Sequence, residues 1–252
     1  ELTQKSLQLF RAELAARYHW QNVRTRYEMG DFRWNSEDFT REYPVVLSTT
    51  YSIKGTLNPE HVYDYIIIDE ASQVDLATGV LAFSCAKNIV IVGDLKQLPN
   101  VVTEADIKIS DAIWQKYSLE ERYCFSTHSM LSSALETWQY APTTLLREHY
   151  RCHPKIIDFC NQKFYNGQLI IMTKDNNEPD ALTMYCTVAG NHARGRTNQR
   201  QIDVIQQEVI PHLRQRNYSS IGIITPYRDQ VSAIRRQLGD SYEVDTVHKF
   251  QG

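Results

Sequence analysis

The chain has 252 residues, of which 42% are hydrophobic and 23% are charged, and its net charge is -3. These values are typical of globular proteins and leave room for one large or two modest α/β domains. No apolar run approaches the roughly 20 residues that a membrane-spanning helix needs, so the sequence predicts no such helix and no membrane partner. The net charge gives no sign of a broad nucleic-acid-binding surface, but it leaves a local groove open.

Cysteine usage favours a reducing compartment. The five cysteines are odd in number and show no C-x-x-C spacing, so reduced thiols in the cytoplasm, or in the nucleus of a eukaryote, are expected. The N-terminal sequence has neither an initiator methionine nor a signal-peptide pattern, and we expect the chain to be a segment of a longer protein. His153 lies beside Cys152, but no second ligand pair has the spacing of a zinc site, so zinc is not expected.

Residues 1–43 are predicted to form a helical arm. Apolar side chains recur at helical spacing between residues 2 and 27, at Leu7, Phe10, Leu14 and Tyr18. This pattern favours an amphipathic helix packed on the first domain, and an arm that contacts nucleic acid is the alternative. Asn35 or Ser36 can cap a second, short helix that ends before Pro44.

Residues 44–141 are predicted to form a first α/β domain, which starts with a strand from Val45 to Ser48. The sequence STTYSI, residues 48–53, starts at the end of this strand, and serine and threonine are common in turns that follow strands. Two unbroken apolar runs, Ile66 to Ile68 and Ile89 to Val92, predict parallel strands that are covered on both faces.

Carboxylates follow the first of these two apolar strands directly. Asp69 and Glu70 stand at its carboxyl end, and the second strand brings Gly93, Asp94 and Gln97 to the same edge. Ligands of open α/β sheets bind at that edge. A carboxylate there can hold hydrated Mg²⁺, while a neighbouring acid orients or deprotonates an attacking water. The alternative is an ordinary Rossmann-like sheet whose strand-end acids cap helices.

The sequences YDYIIIDEASQ and NIVIVGDLKQLPNVV resemble the motor motifs of superfamily 1 helicases. DEAS is similar to the Walker B motif of that family, GDLKQLP to the motif that senses the γ-phosphate, and STTYSI to a motif that holds a phosphate of the bound strand. The resemblance implies ATP and Mg²⁺ as cofactors and single-stranded DNA or RNA as the partner. It assigns Mg²⁺ binding to Asp69, water activation to Glu70, nucleotide contacts to Asp94 and Gln97, and strand contacts to Ser48, Thr49 and Thr50.

Pro142 marks a predicted boundary, and residues 142–252 are predicted to form a second α/β domain. A helical segment from Ser129 to Tyr140 precedes the boundary. The elements predicted first after it are a helix from Pro154 that ends at Gly167, a strand from Leu182 to Val188, and a helix with Ile202, Ile205, Val209 and Leu213 on one face. Those predicted next are a strand from Ile221 to Thr225, a helix that starts with Pro226, buries Val231, Ile234 and Leu238 and ends at Gly239, and a final strand in YEVDT before a polar turn.

Two further motifs, in this second domain, resemble the same helicase family. LLREHYRCHP resembles its tyrosine-arginine motif, which implies that Tyr150 stacks on adenine and Arg151 reaches the γ-phosphate. A planar guanidinium suits charge that is spread over phosphoryl oxygens. YEVDTVHKFQG resembles a motif in which Thr246 contacts the strand while Gln251 and Gly252 face the nucleotide. For Tyr150 and Arg151 the alternative is a surface pair of an aromatic and a cation.

A phosphate loop of the pattern G-x-x-x-x-G-K-[ST] is absent from the sequence. The nearest match is GNHARGRT, Gly190 to Thr197, in which arginine replaces lysine, and we do not expect it to be a phosphate loop. It lies where the family carries Asn-x-x-Glu, which is represented here by Asn198 and Gln201.

The resemblance therefore implies an α/β fold of two RecA-like, P-loop NTPase-type parallel-sheet domains, both incomplete, with the nucleotide between them. It looks closest to the 5′-to-3′ branch that includes the nonsense-mediated-decay helicase. The expected parent is an ATP-dependent helicase or translocase on single-stranded DNA or RNA, whereas the chain alone is expected to be inactive. A binding module without hydrolysis and a helicase domain that serves a fused nuclease are the alternatives.

Overall fold

The computed structural model describes residues 2–18, 25–28, 30–190, 192–218 and 220–250. The chain divides into two compact units, Glu1–Thr143 and Thr144–Gly252. Each unit has a buried apolar cluster beside a pair of parallel strands. Among the described residues, no helix is both long enough and apolar enough to span a membrane.

The first unit is mainly helical and contains one pair of strands in its described residues. Its elements are α1 (Leu2–Arg17), α2 (Asp31–Trp34), α3 (Ser36–Glu42), α4 (Ile53–Thr56), β1 (Tyr63–Ile68), α5 (Leu76–Phe83), β2 (Ala86–Ile91), α6 (Glu104–Lys116) and α7 (Met130–Thr137). A short 3-10 turn, Glu121–Tyr123, precedes α7.

Strands β1 and β2 run parallel, with Ile66 opposite Ile89 and Ile68 opposite Ile91. Successive strand residues point to opposite faces, so Ile66 and Ile68 share the face that packs on the core. Ile67, between them, is 68% exposed. The prediction of parallel strands is confirmed, but coverage of both faces is wrong, because the core lies against one face. The core cluster is formed by Ile53, Ile68, Ala71, Ala82, Cys85, Met130 and Leu131.

The predicted arm helix is shorter than its apolar pattern indicates. Helix α1 ends at Arg17 and has no buried residue, and Leu7 and Phe10 are exposed. At its C-terminal end, the Tyr18 hydroxyl donates a hydrogen bond to the Glu42 carboxylate of α3. The prediction of an amphipathic helix packed along its length is therefore wrong.

The short helix predicted before Pro44 forms as α3, which starts at Ser36. The strand predicted from Val45 to Ser48 does not form, because no pairing partner lies beside this segment in the described residues. Val45 and Leu47 are exposed, which explains why their strand propensity is not enough to order a strand.

The second unit carries three small sheets in its described residues. Its elements are β3 (Glu148–His149), α8 (Pro154–Phe164), β4 (Ile170–Ile171), β5 (Ala193–Arg194), β6 (Thr197–Asn198), α9 (Gln199–Val204), α10 (Ile210–Gln215), β7 (Gly222–Thr225), α11 (Arg228–Leu238), β8 (Glu243–Thr246) and α12 (Val247–Phe250). The pairs β3 with β4 and β7 with β8 are parallel, and β5 with β6 is an antiparallel hairpin.

Helix α11 supplies the core of the second unit. Val231 and Ile234 pack against Ile202, Ile223 and Val244, so the buried stripe predicted for this helix is confirmed. The helix ends at Leu238, and Gly239 is its C-cap, with a φ of 69° that suits a residue without a Cβ. The helix starts at Arg228, two residues after the predicted start at Pro226, and Tyr227 is its N-cap.

The helix predicted around Ile202 is interrupted by a π-helical segment, Ile205–Val209, which joins α9 to α10. Pro211 explains the interruption, because a proline ring clashes with the carbonyl four residues earlier in a regular α-helix. The wider turn shifts the buried face by one residue, so that Ile210 is buried in place of Val209.

Three other predictions for the second unit need correction. Helix α8 ends at Phe164, three residues before Gly167, although Gly167 has the expected positive φ of 72°. No strand forms from Leu182 to Val188 in the described residues. The polar turn expected after the last strand is helix α12, and the two-residue strands β3 and β4 were not predicted.

Candidate functional site

An acidic turn follows β1. The Asp69 carboxylate accepts a hydrogen bond from the Glu70 backbone N–H at 2.9 Å, and Glu70 accepts one from the Gln73 side-chain amide at 3.2 Å. Glu70 has a φ of 52°, which is uncommon for a residue other than glycine and reverses the chain at the strand end. Both carboxylates are exposed and offer hard oxygen ligands to solvent.

A second polar turn follows β2 at the same edge of the sheet. The Val92 N–H donates to the Ile68 carbonyl at 2.8 Å, and the Ala71 N–H donates to the Val92 carbonyl at 2.9 Å, so the two strand ends are joined. The Asp94 carboxylate then accepts from the Lys96 backbone N–H at 2.8 Å and from the Gln97 side-chain amide at 3.3 Å. The structure therefore brings Asp69, Glu70, Asp94 and Gln97 to one edge of the β1–β2 sheet.

Gly93 allows these two turns to approach each other. A Cβ at this position would lie 3.1 Å from the Ala71 nitrogen, 3.2 Å from the Ser72 nitrogen and 3.0 Å from a methyl carbon of Leu131. Two of the three neighbours are backbone atoms, which cannot move without disturbing the acidic turn. The need for glycine is therefore steric.

Replacing Gly93 with alanine is expected to lower the free energy of unfolding by about 1–3 kcal/mol, because an added methyl group overpacks this contact. Gly55→Ala is the matched control, since the nearest atom to its Cβ would be the end of the Arg33 side chain at 3.6 Å. Urea denaturation of both variants measures the difference. Equal midpoints for the two would contradict the steric role of Gly93.

The N-terminus of α7 donates hydrogen bonds to the segment that follows the acidic turn. The Met130 N–H donates to the Val74 carbonyl at 2.8 Å, and the Leu131 N–H donates to the Ala71 carbonyl at 3.1 Å. Ser129 begins this helix with a reciprocal capping box, which fixes its orientation. Sequence reasoning placed a helix here but had no signal for its contact with the turn.

The turn that carries Tyr150 and Arg151 is held by its neighbours. The His149 ring accepts from the Cys152 N–H at 2.8 Å, and the Thr173 hydroxyl donates to the Cys152 carbonyl at 2.7 Å. Both the Tyr150 and the Arg151 side chains are exposed. The sequence carries no signal for the anchoring role of Thr173, which comes from a distant segment.

The Tyr150 hydroxyl donates a hydrogen bond to the Glu148 carboxylate. This bond is the main reason why the pKa of Tyr150 is raised above its ordinary value. The phenol therefore stays protonated, and its ring remains available as a flat exposed surface.

His153 lies among carboxylates, which sequence spacing did not indicate. Its Nε2 is 3.3 Å from an Asp175 oxygen and 3.1 Å from a Glu178 oxygen, and the three residues are spaced closely enough to hold a metal ion. Its Nδ1, however, accepts from the Lys155 N–H at 3.2 Å, which places the ring proton on Nε2. A protonated Nε2 donates to the carboxylates and has no lone pair for a metal.

The hydroxyls after residue 47 lie in a turn that leads into α4. The Thr49 carbonyl accepts from the Ser52 and Ile53 N–H groups, and its hydroxyl accepts from the Ser52 N–H at 3.2 Å. The Ser48 hydroxyl lies 3.3 Å from that of Thr56. Ser48 and Thr49 are exposed.

The remaining predicted strand and nucleotide contacts lie near the end of the chain. Thr246 is the last residue of β8, at the carboxyl end of that strand, and is only 8% exposed. It is buried because its strand pairs with β7, where Thr225 lies opposite. The predicted nucleotide contacts Gln251 and Gly252 lie outside the described residues.

Ala193 to Thr197 of the segment GNHARGRT form most of the β5–β6 hairpin, whereas a phosphate loop runs from a strand directly into a helix. Asn198 follows the segment, and its side chain accepts from the Gln201 N–H at 3.2 Å to cap α9. Asn198 and Gln201 therefore act together as a helix cap.

Comparison with known proteins identifies two family models, both described as an AAA domain, which match residues 3–105 and 126–252. The chain is 30% identical over 215 residues to an uncharacterized ATP-dependent helicase of Mycoplasma genitalium, a match that covers 81% of this chain and 18% of the relative. It is 26% identical over 212 residues to 5'-3' DNA helicase ZGRF1 of Mus musculus, with 75% of this chain and 10% of the relative covered.

A third relative is DNA replication ATP-dependent helicase/nuclease DNA2 of Gallus gallus. It is 25% identical over 228 residues, and the match covers 86% of this chain and 21% of the relative. The chain thus spans about a fifth or less of the length of each of these three relatives.

Proposed function

The chain belongs to the AAA domain family that is typical of superfamily 1 helicases, and we propose that it is part of the motor of an ATP-dependent helicase acting on single-stranded DNA or RNA. The observation that carries this proposal is the joined pair of strand ends at one edge of β1–β2, which presents Asp69, Glu70, Asp94 and Gln97 together. Such an edge is where open α/β sheets bind ligands.

The finer architecture is part of the same proposal. We take residues 1–43 as an arm, 44–141 as a first RecA-like domain and 142–252 as a second, each domain being incomplete. The parallel pairs β1–β2 and β7–β8, each beside a helical core, support this view. The similarity to ATP-dependent and 5'-3' DNA helicases supports the assignment of the chain to a helicase motor.

Each residue at the β1–β2 edge has a proposed role in ATP hydrolysis. Asp69 would hold Mg²⁺, which neutralises phosphate charge when it is bound. The residue fits this task, because its carboxylate is exposed and uses one oxygen to accept from Glu70. Glu70 orients and deprotonates the attacking water, and Gln97, held by Asp94, contacts the γ-phosphate.

Nucleotide contacts are also proposed for residues of the second unit. Tyr150 stacks on adenine through its exposed ring, and Arg151 contacts the γ-phosphate. Gln251 and Gly252 are proposed to face the nucleotide as well. Binding and hydrolysis of ATP also need the backbone amides and the lysine of a phosphate loop, and the 252 residues contain no such loop.

Hydrolysis of ATP by the full-length protein, measured with and without a single-stranded oligonucleotide, tests the proposal. We expect the oligonucleotide to stimulate hydrolysis, and DNA and RNA oligonucleotides of equal length identify the preferred strand. Tight oligonucleotide binding without any hydrolysis would instead identify a binding module and overturn the proposal.

Strand binding is proposed to involve Ser48, Thr49 and Thr50. Replacing Thr49 with valine removes an exposed hydroxyl, and we expect affinity for a single strand to fall about 3- to 10-fold, the effect of one ordinary hydrogen bond. Hydrolysis without nucleic acid should not change. Thr143→Val is the control, since Thr143 is also exposed. Fluorescence anisotropy of a labelled oligonucleotide measures the affinity, and equal values for both variants would contradict the contact.

A further inference from the structure

The segment around the β5–β6 hairpin concentrates positive charge in a chain whose net charge is negative. No aspartate or glutamate occurs between residues 181 and 202, and the cationic side chains there are Arg194, Arg196 and Arg200, with His192 beside them. Like charges that are close together repel each other, so such a cluster is most favourable when an anion lies on it.

The hairpin presents part of this charge at its tip. Ala193 pairs with Asn198 and Arg194 with Thr197, which leaves Gly195 and Arg196 as the two turn residues. Gly195 has a φ of 58°, as tight hairpin turns require. The Arg196 side chain at the tip is exposed.

A buried glutamine fixes the base of the hairpin to α11. Gln230 is 5% exposed, and its side-chain oxygen accepts from the Asn198 N–H at 2.7 Å while its nitrogen donates to the Asn198 carbonyl at 3.3 Å. Both the donor and the acceptor of the buried side-chain amide are therefore paired with one residue of the hairpin. The tip is held in a defined position relative to α11.

This anchor places Arg196 next to an aromatic ring, and a further cation follows that ring in the sequence. The Arg196 guanidinium lies 5.9 Å from the centroid of the Tyr227 ring, and Tyr227 is 49% exposed. Arg228, the first residue of α11, is also exposed. A half-exposed ring with a cation beside it can stack on a base while neighbouring arginines contact phosphates.

No described carboxylate forms a salt bridge with Arg196 or Arg228, the two arginines beside Tyr227. Asp203, the first acid after the cluster, accepts hydrogen bonds from the side chains of Gln199 and Gln237, and these bonds, together with the charge of Arg200, lower its pKa. The positive charge of the tip is therefore available to an external anion.

We propose that Arg196 at the hairpin tip forms, together with Tyr227 and Arg228 at the start of α11, a nucleic-acid-binding surface on which phosphates of a single strand contact the two arginines and a base stacks on Tyr227. Substitutions of these three residues are called the tip variants. The proposal rests on the proposed function, because it names a further contact of the same strand. The aromatic ring favours nucleic acid over an acidic protein segment, which offers no bases to stack.

The test measures the affinity of the full-length protein for a labelled single-stranded oligonucleotide between 50 and 200 mM salt, a range over which phosphate contacts change affinity strongly. Each of Arg196→Ala and Arg228→Ala is expected to reduce the slope of log affinity against log salt by about 0.7, the value for one phosphate contact to a single strand. Tyr227→Ala should lower the affinity without changing the slope.

Arg236→Ala is the charge-matched control, since Arg236 is exposed in the last turn of the same helix, α11. Its salt slope should equal that of the wild type, and thermal unfolding followed by circular dichroism checks that all variants fold. A slope that is unchanged in the tip variants, or reduced equally by Arg236→Ala, overturns the proposal.

Two other outcomes separate the possible failures. If Thr49→Val weakens strand binding while the tip variants bind normally, the assignment of the tip residues is wrong and the proposed function stands. If the wild type binds no single strand, the proposed function itself fails. Tip variants that bind oligonucleotide normally but lose affinity for polyglutamate would assign the surface to an acidic protein segment and also overturn the proposal.

Discussion

Replacing Arg151 with alanine is expected to lower kcat for ATP hydrolysis by about 10³-fold or more in the full-length protein. The guanidinium is proposed to act on charge that develops on the phosphoryl oxygens in the transition state, so ATP binding should change little. The turn around it should stay folded, because His149 and Thr173 hold its backbone and the Arg151 side chain is exposed. Steady-state kinetics at saturating nucleic acid measure kcat and the KM for ATP.

Replacing Tyr150 with alanine is expected to have the opposite signature. Stacking on adenine is made equally in the ground state and the transition state, so its loss should raise KM by about 10-fold and change kcat little. Tyr140→Ala is a control, because Tyr140 is 98% exposed and has no proposed contact with nucleotide. Equal losses of kcat in the Arg151 and Tyr150 variants would show that the two roles are wrongly assigned.

The sequence predicted the elements whose burial is encoded locally. The runs at Ile66 to Ile68 and Ile89 to Val92 specify β1 and β2, and the stripe of Val231 and Ile234 specifies α11. These apolar runs could not specify whether one face or both faces of the β1–β2 sheet are buried. Ile67 is as apolar as its neighbours but is exposed, because composition records a preference for burial and not the presence of a partner.

Elements that depend on a partner strand or on one residue were predicted poorly. The segments Val45 to Ser48 and Leu182 to Val188 have strand composition, but strands need a paired neighbour. The strands β3 and β4 do pair, yet each has two residues and no detectable periodicity. Pro211 changed the helical phase through a π segment, which regular spacing rules do not describe.

The candidate site shows the same division. Its acids could be located from the sequence, because they directly follow apolar strands. The contacts that position them could not, since the close approach at Gly93 and the support from Leu131 depend on residues distant in sequence. The left-handed backbone of Glu70 was also hidden, because glutamate ordinarily avoids that conformation.

Because of that backbone conformation, replacing Glu70 with glycine should raise stability and lower activity. A φ of 52° costs an ordinary residue about 1–2 kcal/mol, and glycine adopts it without strain. Glu70→Gly should therefore raise the free energy of unfolding by up to about 1 kcal/mol, after allowance for the greater freedom of glycine in the unfolded chain. Glu60→Gly is the matched control, since Glu60 is exposed and has no positive φ, and it should lower stability.

The same variant should lose hydrolysis. Removing a general base costs about 10²- to 10⁴-fold in rate, and Glu70→Gln should show the same loss, because it keeps the size of the side chain but cannot accept a proton at neutral pH. Urea denaturation and steady-state ATP hydrolysis of the three variants test both halves. A Glu70→Gly protein destabilised as much as Glu60→Gly would show that the turn stores no strain. Retained hydrolysis in Glu70→Gln would show that another group activates the water, because the exposed carboxylate of Glu70 would then be dispensable for proton transfer.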